Sequence, residues 1–202
     1  MSVDPVPLRT TVACQSQDRV RAGASLERLR LLLLEEGGPM ASLVGEASSG
    51  DRAIVGPPEA GPAQLAGHGP RVDGRAADYE LLIEAIYEGY LLHYGSPRVV
   101  HVPEADLGLL AGDRLYALGL ARLVALGDTV AVAELADTIT LSALAQGAGD
   151  EPLADAIWEA GARAVGWGAS DAHRRAKELV CAGADEAIEA MRTSVAAIPA
   201  SR

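Results

Sequence analysis

The chain has 202 residues, a formal net charge of −11 and a sequence pI near 4.8. Proteins that bind nucleic acids or dock on anionic lipid present basic surfaces, so this charge argues against both classes. The length predicts one domain with room for an additional segment. Its two cysteines, Cys14 and Cys181, lie far apart without a CxxC spacing. They favour a reducing, cytoplasmic setting and form no zinc site by themselves.

The first 75 residues differ in composition from the rest. They hold ten Gly, seven Pro and no aromatic residue, and such a segment buries little apolar area to offset its conformational entropy. We expect a low-order leader or linker over residues 1–75, either native or the product of too early a start codon, without a signal peptide. Within it, residues 25–36 can form a helix, and residues 56–62 are typical of a linker.

Residues 76–202 predict a series of helices separated by polar stops. Gly127–Asp128 and Gly149–Asp150 each place a helix-ending glycine directly before an N-cap aspartate. The predicted helices begin at Asp78, Pro103, Asp128, Asp150, Ser170 and Asp185. Only residues 98–102 resemble a strand, and the unequal spacing of the junctions disfavours a repeat solenoid. The sequence therefore predicts an all-α domain, a single bundle of about six helices over residues 76–202, after a mostly irregular segment.

The apolar helix over residues 107–126 carries three charged residues, among them Asp113. Each charge at mid-span costs about 2.5–3.5 kcal/mol on insertion scales, so we expect a buried helix and no membrane span. A buried Asp113 needs hydrogen-bond partners or a counter-charge, which makes it either a structural residue or a site residue. Glycines that would let a second helix approach closely recur along this helix: Gly108, Gly112 and Gly119.

Two groups of side chains are candidates for a site. Tyr87, Tyr90 and Tyr94 fall at helical spacing on one face, a pattern that favours core or a subunit interface but can also line a pocket. Four potential metal ligands surround the following loop: His93, His101, Glu104 and Asp106. They are also explained, without a metal, as a helix-end histidine and acids at a helix N-terminus.

Three further features have simpler interpretations. Glu80, Glu84 and Glu88 repeat every four residues, which favours a solvated helix face. Residues 166–170 precede a helix N-terminus, where an anion can bind, but Asp171 would repel a phosphate, so a glycine turn with a cap is expected. His173 belongs to a polar run that is typical of a solvated face.

The segment Leu110-Ala111-Gly112-Asp113-Arg114-Leu115, followed by Ala117, resembles the L-A-G-D-x-L-x-x-x-A helix of the trans-prenyl diphosphate synthases. Upstream, Gly95-Ser96-Pro97-Arg98-Val99 is similar to the G-x-P-T-V segment of that family, at a similar separation. Residues 86–93 resemble the helix that ends L-I-H-D-D in the family. The resemblance covers about residues 79–147 and implies an isoprenoid-synthase-like bundle with dimerising helices.

The departures from the family bear on activity. The family binds magnesium through two Asp-rich motifs, but Tyr94 and Gly95 follow His93 here, and nothing near the end of the chain matches the second motif. Without those carboxylates a diphosphate leaving group has no Lewis acid. Similar losses occur in the small, non-catalytic subunit of heptaprenyl diphosphate synthases. The resemblance therefore implies the fold without transferase activity and without a cofactor.

These observations leave three hypotheses. The leading one is a non-catalytic prenyl-synthase-like protein that acts as a homodimer or as a heterodimer with a catalytic prenyl synthase. The second is an active isoprenoid enzyme that binds magnesium through Glu80, Glu84, Glu88 and Asp137. The third is an unrelated all-α homodimer. No catalytic residue is predicted, and the candidate structural or pocket residues are Gly112, Asp113, Tyr87, Tyr90, Tyr94 and His93.

Overall fold

A computed structural model describes residues 8–44 and 61–196, with side chains from Gln17 onward. Within these ranges the chain forms nine α-helices and a short 3₁₀ turn at Pro70–Val72. The helices are α1 (Leu8–Glu36), α2 (Gly38–Leu43), α3 (Pro62–Gly67), α4 (Ala76–Tyr94), α5 (Ala105–Ala125), α6 (Thr129–Gly147), α7 (Glu151–Trp167), α8 (Asp171–Ala182) and α9 (Ala187–Ala196). The described ranges contain no strand, only one antiparallel bridge between Val44 and Val100. The all-α class is confirmed.

Helices on both sides of residue 75 pack together. Helix α1 begins at Leu8, well before the expected helix at residue 25, and Leu29 and Leu33 on it are fully buried. Helix α3 packs on both α4 and α7. The apolar face of α1 therefore supplies the core area that composition alone did not suggest. Of the leader expected over residues 1–75, residues 1–7 and 45–60 lie outside the described residues, and with them most of the linker at residues 56–62.

The glycine–aspartate junctions end and restart helices as predicted. Gly127 and Gly149 adopt positive φ angles of 78° and 74°, a conformation that glycine reaches without a Cβ penalty. Asp128 and Asp150 then cap α6 and α7, each accepting a hydrogen bond at 3.0 Å from the N–H three residues later. Asp78, by contrast, lies in the first turn of α4, whose N-cap is Arg75.

Helices α4 and α5 lie in close contact through glycines. A Cβ on Gly112 would collide with the His93 ring and lie 3.0 Å from the carbonyl oxygen of Gly89. A Cβ on Gly119 would collide with the Ile86 side chain and lie 3.0 Å from the carbonyl oxygen of Leu82. The expected close approach of a second helix is confirmed, and α4 is that helix.

The opposite face of α5 is open, so the expectation of a buried helix is wrong. The side chain of Asp113 is 71 % exposed, and Leu110 and Val124 are 66 % and 57 % exposed. The glycine face takes the contact with α4, which turns Asp113 outward. None of the helices in the described ranges is long and apolar enough to cross a membrane.

Three apolar clusters join these helices. The first surrounds α4 and α7 and includes the buried rings of Tyr79 and Trp158. The second holds α6, α7, α8 and α9 together around Met191. The third carries Leu29 and Leu33 of α1 into α4 and α5. Helix α4 therefore lies at the centre of the packing.

The close contact of α4 and α5 predicts opposite effects for two Gly-to-Ala changes. Gly119→Ala places a methyl group against Ile86 and is expected to lower the free energy of unfolding by about 1–3 kcal/mol. Gly147→Ala, at a helical position with nothing within 4 Å, is expected to leave stability unchanged or raise it by up to about 1 kcal/mol. Urea unfolding of both variants measures the difference, and equal midpoints would contradict the packing.

Candidate functional site

Three glutamates of α4 form a buried column that faces the protein interior. Glu80, Glu84 and Glu88 are 4 %, 1 % and 0 % exposed. The interpretation of this row as a solvated helix face is wrong. A four-residue spacing puts side chains on one face of a helix, and here that face meets α1, α3 and the loop after α4. Because buried charges are costly without partners, each carboxylate needs its own set of donors.

Donors for the first two carboxylates come from distant parts of the chain. Arg21 and Arg28 of α1 form ion pairs with Glu80. Glu84 accepts hydrogen bonds from Ser25 Oγ at 3.0 Å and from Gln64 Nε2 at 3.1 Å. Gln64 Nε2 also donates to Ser25 Oγ at 2.9 Å, so the three side chains form one network. Helices α1 and α3 are thereby fastened to α4 through polar contacts.

Glu88 organises the loop that follows α4. Its Oε1 accepts hydrogen bonds from three consecutive backbone N–H groups, those of Arg98, Val99 and Val100, at 2.7, 2.6 and 3.0 Å. The Arg98 guanidinium donates to Glu88 Oε2 at 3.3 Å and to Glu84 Oε2 at 2.7 Å. Burial lowers the pKa of Arg98, but Glu84 and Glu88 outweigh it and raise that pKa above its ordinary value. One arginine thus pairs with both buried carboxylates, and backbone N–H groups supply further donors to Glu88.

This arrangement does not match the magnesium-ligand set of the second hypothesis, which needs Glu80, Glu84, Glu88 and Asp137 at one cavity. The oxygens of Glu80, Glu84 and Glu88 are engaged by arginine, serine, glutamine and backbone donors. Asp137 lies elsewhere, on α6, where it pairs with Lys177 at 2.7 Å. The structure therefore does not bring the four acids together at one site. Among the described residues, no group of three or more His, Cys, Asp or Glu is arranged to hold a metal ion.

The three tyrosines divide between core and surface. Tyr90 is buried, and its hydroxyl accepts a hydrogen bond from Gln146 Nε2 at 2.7 Å. Tyr87 packs edge-to-face on Trp158, with ring centroids 4.9 Å apart, while Tyr94 is 42 % exposed. Burial raises the pKa of both Tyr87 and Tyr90. The stripe is mainly core, and only Tyr87 of the three lines a cleft.

The loop group of potential ligands is dispersed. His93 stacks on Tyr116, and its Nε2 lies 3.3 Å from Asp113 Oδ1. His101, Glu104 and Asp106 are exposed. His93 thus links α4 to α5 beside Gly112, and Asp113 pairs with it at the surface.

A second polar network, missed from the sequence, joins α6, α8 and α9. His173 is 3 % exposed, and its Nε2 lies 2.6 Å from Oε1 of Glu134, so the expected solvated position of His173 is wrong. Lys177 Nζ donates to Glu134 Oε2 at 3.0 Å. Burial raises the pKa of Glu134, but the hydrogen bonds and charges of His173 and Lys177 outweigh it and hold that pKa below its ordinary value of 4.5.

Ser194 Oγ lies 3.5 Å from His173 Nδ1, which completes a serine–histidine–acid series of the kind found in hydrolases. The hydroxyl is 2 % exposed and donates to the carbonyl oxygen of Met191 at 2.7 Å. A nucleophile must reach its substrate, and this one is enclosed between helices. The series therefore stabilises helix packing.

The glycine turn before α8 is confirmed as a turn with a cap. The N–H of His173 donates to Ser170 Oγ at 3.1 Å. Gly166 is in close contact with the end of α3 and with Gly69, since a Cβ on it would lie 2.5 Å from the carbonyl oxygen of Ala66 and 3.1 Å from Gly69 Cα. Because neighbouring backbone fills the space beside Gly166, the glycine serves packing there.

A cleft of about 460 Å³ opens beside the glutamate column. It lies between α1, α3, α4 and α7, and Gln64 connects its wall to Glu84. The residues around it are Asp18, Gly61, Pro62, Gln64, Leu65, His68, Tyr87, Asp155, Trp158 and Glu159. Its volume lies within the range of small-molecule sites.

No protein-family model matches the chain, and no significant match is found among curated proteins or solved structures.

The shared role of Arg98 predicts a large loss of stability on its removal. Arg98→Ala leaves two buried carboxylates without their common counter-charge and is expected to lower the free energy of unfolding by about 3 kcal/mol. Arg175→Ala, at an exposed position of α8, is the matched control and is expected to change stability by less than about 0.5 kcal/mol. Urea unfolding at pH 7 measures both, and similar values for the two variants would contradict the charge assignment.

The depressed pKa of Glu134 predicts a pH-dependent contribution to stability. Glu134→Gln is expected to cost about 2 kcal/mol at pH 7. The folded-state pKa lies below the unfolded value of 4.5, so the contribution is complete above about pH 4.5 and is lost as the pH falls through the folded-state pKa. Unfolding curves from pH 7 to pH 3 measure the convergence of wild type and variant. Exposed Glu178→Gln serves as the control, and a gap that persists at low pH would count against this account.

Proposed function

We propose that the chain is a non-catalytic, prenyl-synthase-like helical protein that acts by association, as an accessory subunit of a catalytic prenyl synthase or with a second copy of itself. The observation that carries this proposal is the open face of α5, on which Leu110, Ala117 and Val124 are exposed beside Asp113 and Arg114. The role of α5 as a dimerising helix is what the L-A-G-D resemblance implies, and the exposure of its outer face supports it.

The two faces of α5 have different composition. The inner face packs on α4 through Gly112 and Gly119. The outer face carries Leu110, Ala117 and Val124, all exposed and seven residues apart along the helix. A seven-residue repeat returns to the same face after two turns, so these side chains form one narrow apolar stripe, flanked between Leu110 and Ala117 by the exposed Asp113 and Arg114. Stripes of this kind, with small residues at the centre, favour the approach of another helix.

The glutamate column supports the non-catalytic half of the proposal. The acids that an unconventional magnesium site would need are held by Arg98 and by the donors of α1 and α3. Breaking these contacts would leave the buried carboxylates unpaired, which costs several kcal/mol. Their present contacts favour a structural role.

Oligomeric state tests the association surface. Ala117→Glu inserts a charge at the centre of the stripe and is expected to convert the assembled species to monomer while leaving the circular dichroism spectrum unchanged. Ala77→Glu, an identical change at an exposed position in the first turn of α4, is expected to leave the assembly intact. Light scattering coupled to size-exclusion chromatography measures the mass. A wild-type monomer with no stoichiometric partner in a native pull-down would overturn the proposal.

The pull-down also separates the two forms of the proposal. Recovery of a full-length prenyl synthase, lost with Ala117→Glu, identifies an accessory subunit. Recovery of the chain alone, at a mass of two copies, identifies a self-associating protein. Magnesium-dependent turnover of an allylic diphosphate by the purified chain would instead establish the alternative of an active enzyme.

A further inference from the structure

The buried ring of His173 lies between two other helices, with a polar atom at each of its nitrogens. The residue belongs to α8 and is 3 % exposed. Its Nε2 lies 2.6 Å from Oε1 of Glu134 on α6, and its Nδ1 lies 3.5 Å from the Ser194 hydroxyl oxygen on α9. The protonation state of the ring therefore decides which of these contacts are hydrogen bonds.

The charged groups around the ring are few. Lys177 donates to Glu134 at 3.0 Å and to Asp137 at 2.7 Å, so one ammonium group serves two carboxylates. The charged residues of α9 are both exposed, namely Glu189 and Arg192. A protonated His173 supplies a second positive charge, which leaves the network of α6 and α8 neutral, whereas the neutral ring leaves it with one net negative charge.

The hydrogen bonds of the ring differ between its two forms. A carboxylate only accepts, so Nε2 carries a proton toward Glu134 in both forms. The Ser194 hydroxyl donates to the carbonyl oxygen of Met191 at 2.7 Å, so its oxygen is available to accept. A protonated Nδ1 donates to that oxygen, but an unprotonated Nδ1 presents a lone pair to it. In the neutral form, either Nδ1 is buried without a partner or the hydroxyl turns away from Met191, and both are costly.

From this geometry we infer that His173 is a pH-sensitive switch that fastens α9 to α6. The protonated ring donates on both sides and holds α9 in place, and loss of the Nδ1 proton removes the donor on the α9 side and loosens that helix. The stabilisation of α9 is therefore present while the ring is protonated and is lost as the pH rises.

Loosening of α9 changes the surface of the protein. Helix α9 packs on α7, and Met191 is fully buried in the cluster that joins them. Its release uncovers the apolar side of α7 that Met191 covers. No residue of the switch belongs to α5, so the switch and the proposed association surface can each fail without the other.

Nuclear magnetic resonance of the full ¹⁵N-labelled chain tests the switch. Long-range ¹H–¹⁵N spectra from pH 5.5 to pH 9 show whether each ring nitrogen of His173 carries a proton, and the His173→Gln variant identifies its signals. Hydrogen exchange over the same range gives the protection of the α9 amides, corrected for the pH dependence of exchange in an unstructured chain. We expect Nδ1 to lose its proton as the pH rises and α9 protection to fall about tenfold with the same midpoint. Amides of α4 are not expected to follow.

Two neighbouring hydroxyls of α9 provide matched variants. Ser194→Ala removes the acceptor for Nδ1 and is expected to abolish most of the pH dependence of α9 protection, while α9 stays helical because alanine favours helix. Thr193→Ala removes an exposed hydroxyl one position earlier and is expected to retain that dependence in full. A His173 ring that does not titrate in this range, α9 protection that is unchanged as the ring titrates, or equal pH dependence in the two variants would overturn the switch.

Discussion

Three buried carboxylates on one helix determine how the N-terminal half of this protein is held together. Glu80, Glu84 and Glu88 are removed from water, and such charges are tolerated only with compensating donors. Those donors come from α1, from α3 and from the loop after α4. Each of these elements is therefore held against α4 by hydrogen bonds or ion pairs to a glutamate, in addition to its apolar contacts with that helix.

The polar column and the glycine contact act on opposite sides of α4. On one side, arginine side chains from α1 and from the loop after α4 form ion pairs with its glutamates. On the other, Gly112 and Gly119 allow α5 to approach until backbone nearly meets backbone. The position of helix α4 is thus determined both by ion pairs on one side and by close backbone packing on the other. The remaining face of α5 is left free, which is why the proposed association surface and the interior of the protein are separate.

Local signals predicted the helix ends, while long-range pairing escaped prediction. Gly127–Asp128 marks a helix junction because the glycine turn and the aspartate cap involve only residues within a few positions in the sequence. The column was misinterpreted because acids four residues apart look the same on a solvated face and on a neutralised buried face. Glu80 finds Arg21 at a sequence separation of 59, and His173 finds Glu134 at a separation of 39. No local pattern marks such pairs.

For the candidate site as well, local spacing was predicted from the sequence and contacts between distant residues were not. The tyrosine stripe was visible from its spacing, and Tyr87 does line a cleft. Asp155 and Trp158 were not predicted as site residues, because they line the cleft only after α7 packs against α3. The orientation of Asp113 was within reach of the sequence, since the glycines of α5 already marked the face that contacts another helix.

The double duty of Arg98 also constrains how this protein can diverge. Glu84 and Glu88 share that one guanidinium, so replacing Arg98 alone leaves two buried carboxylates without their counter-charge, whereas replacing one glutamate leaves a one-to-one ion pair. The order of stepwise change is therefore constrained, because loss of Arg98 is tolerated only after a glutamate has been replaced. Among proteins descended from this one, Arg98 is therefore expected to be retained wherever Glu84 and Glu88 are both present.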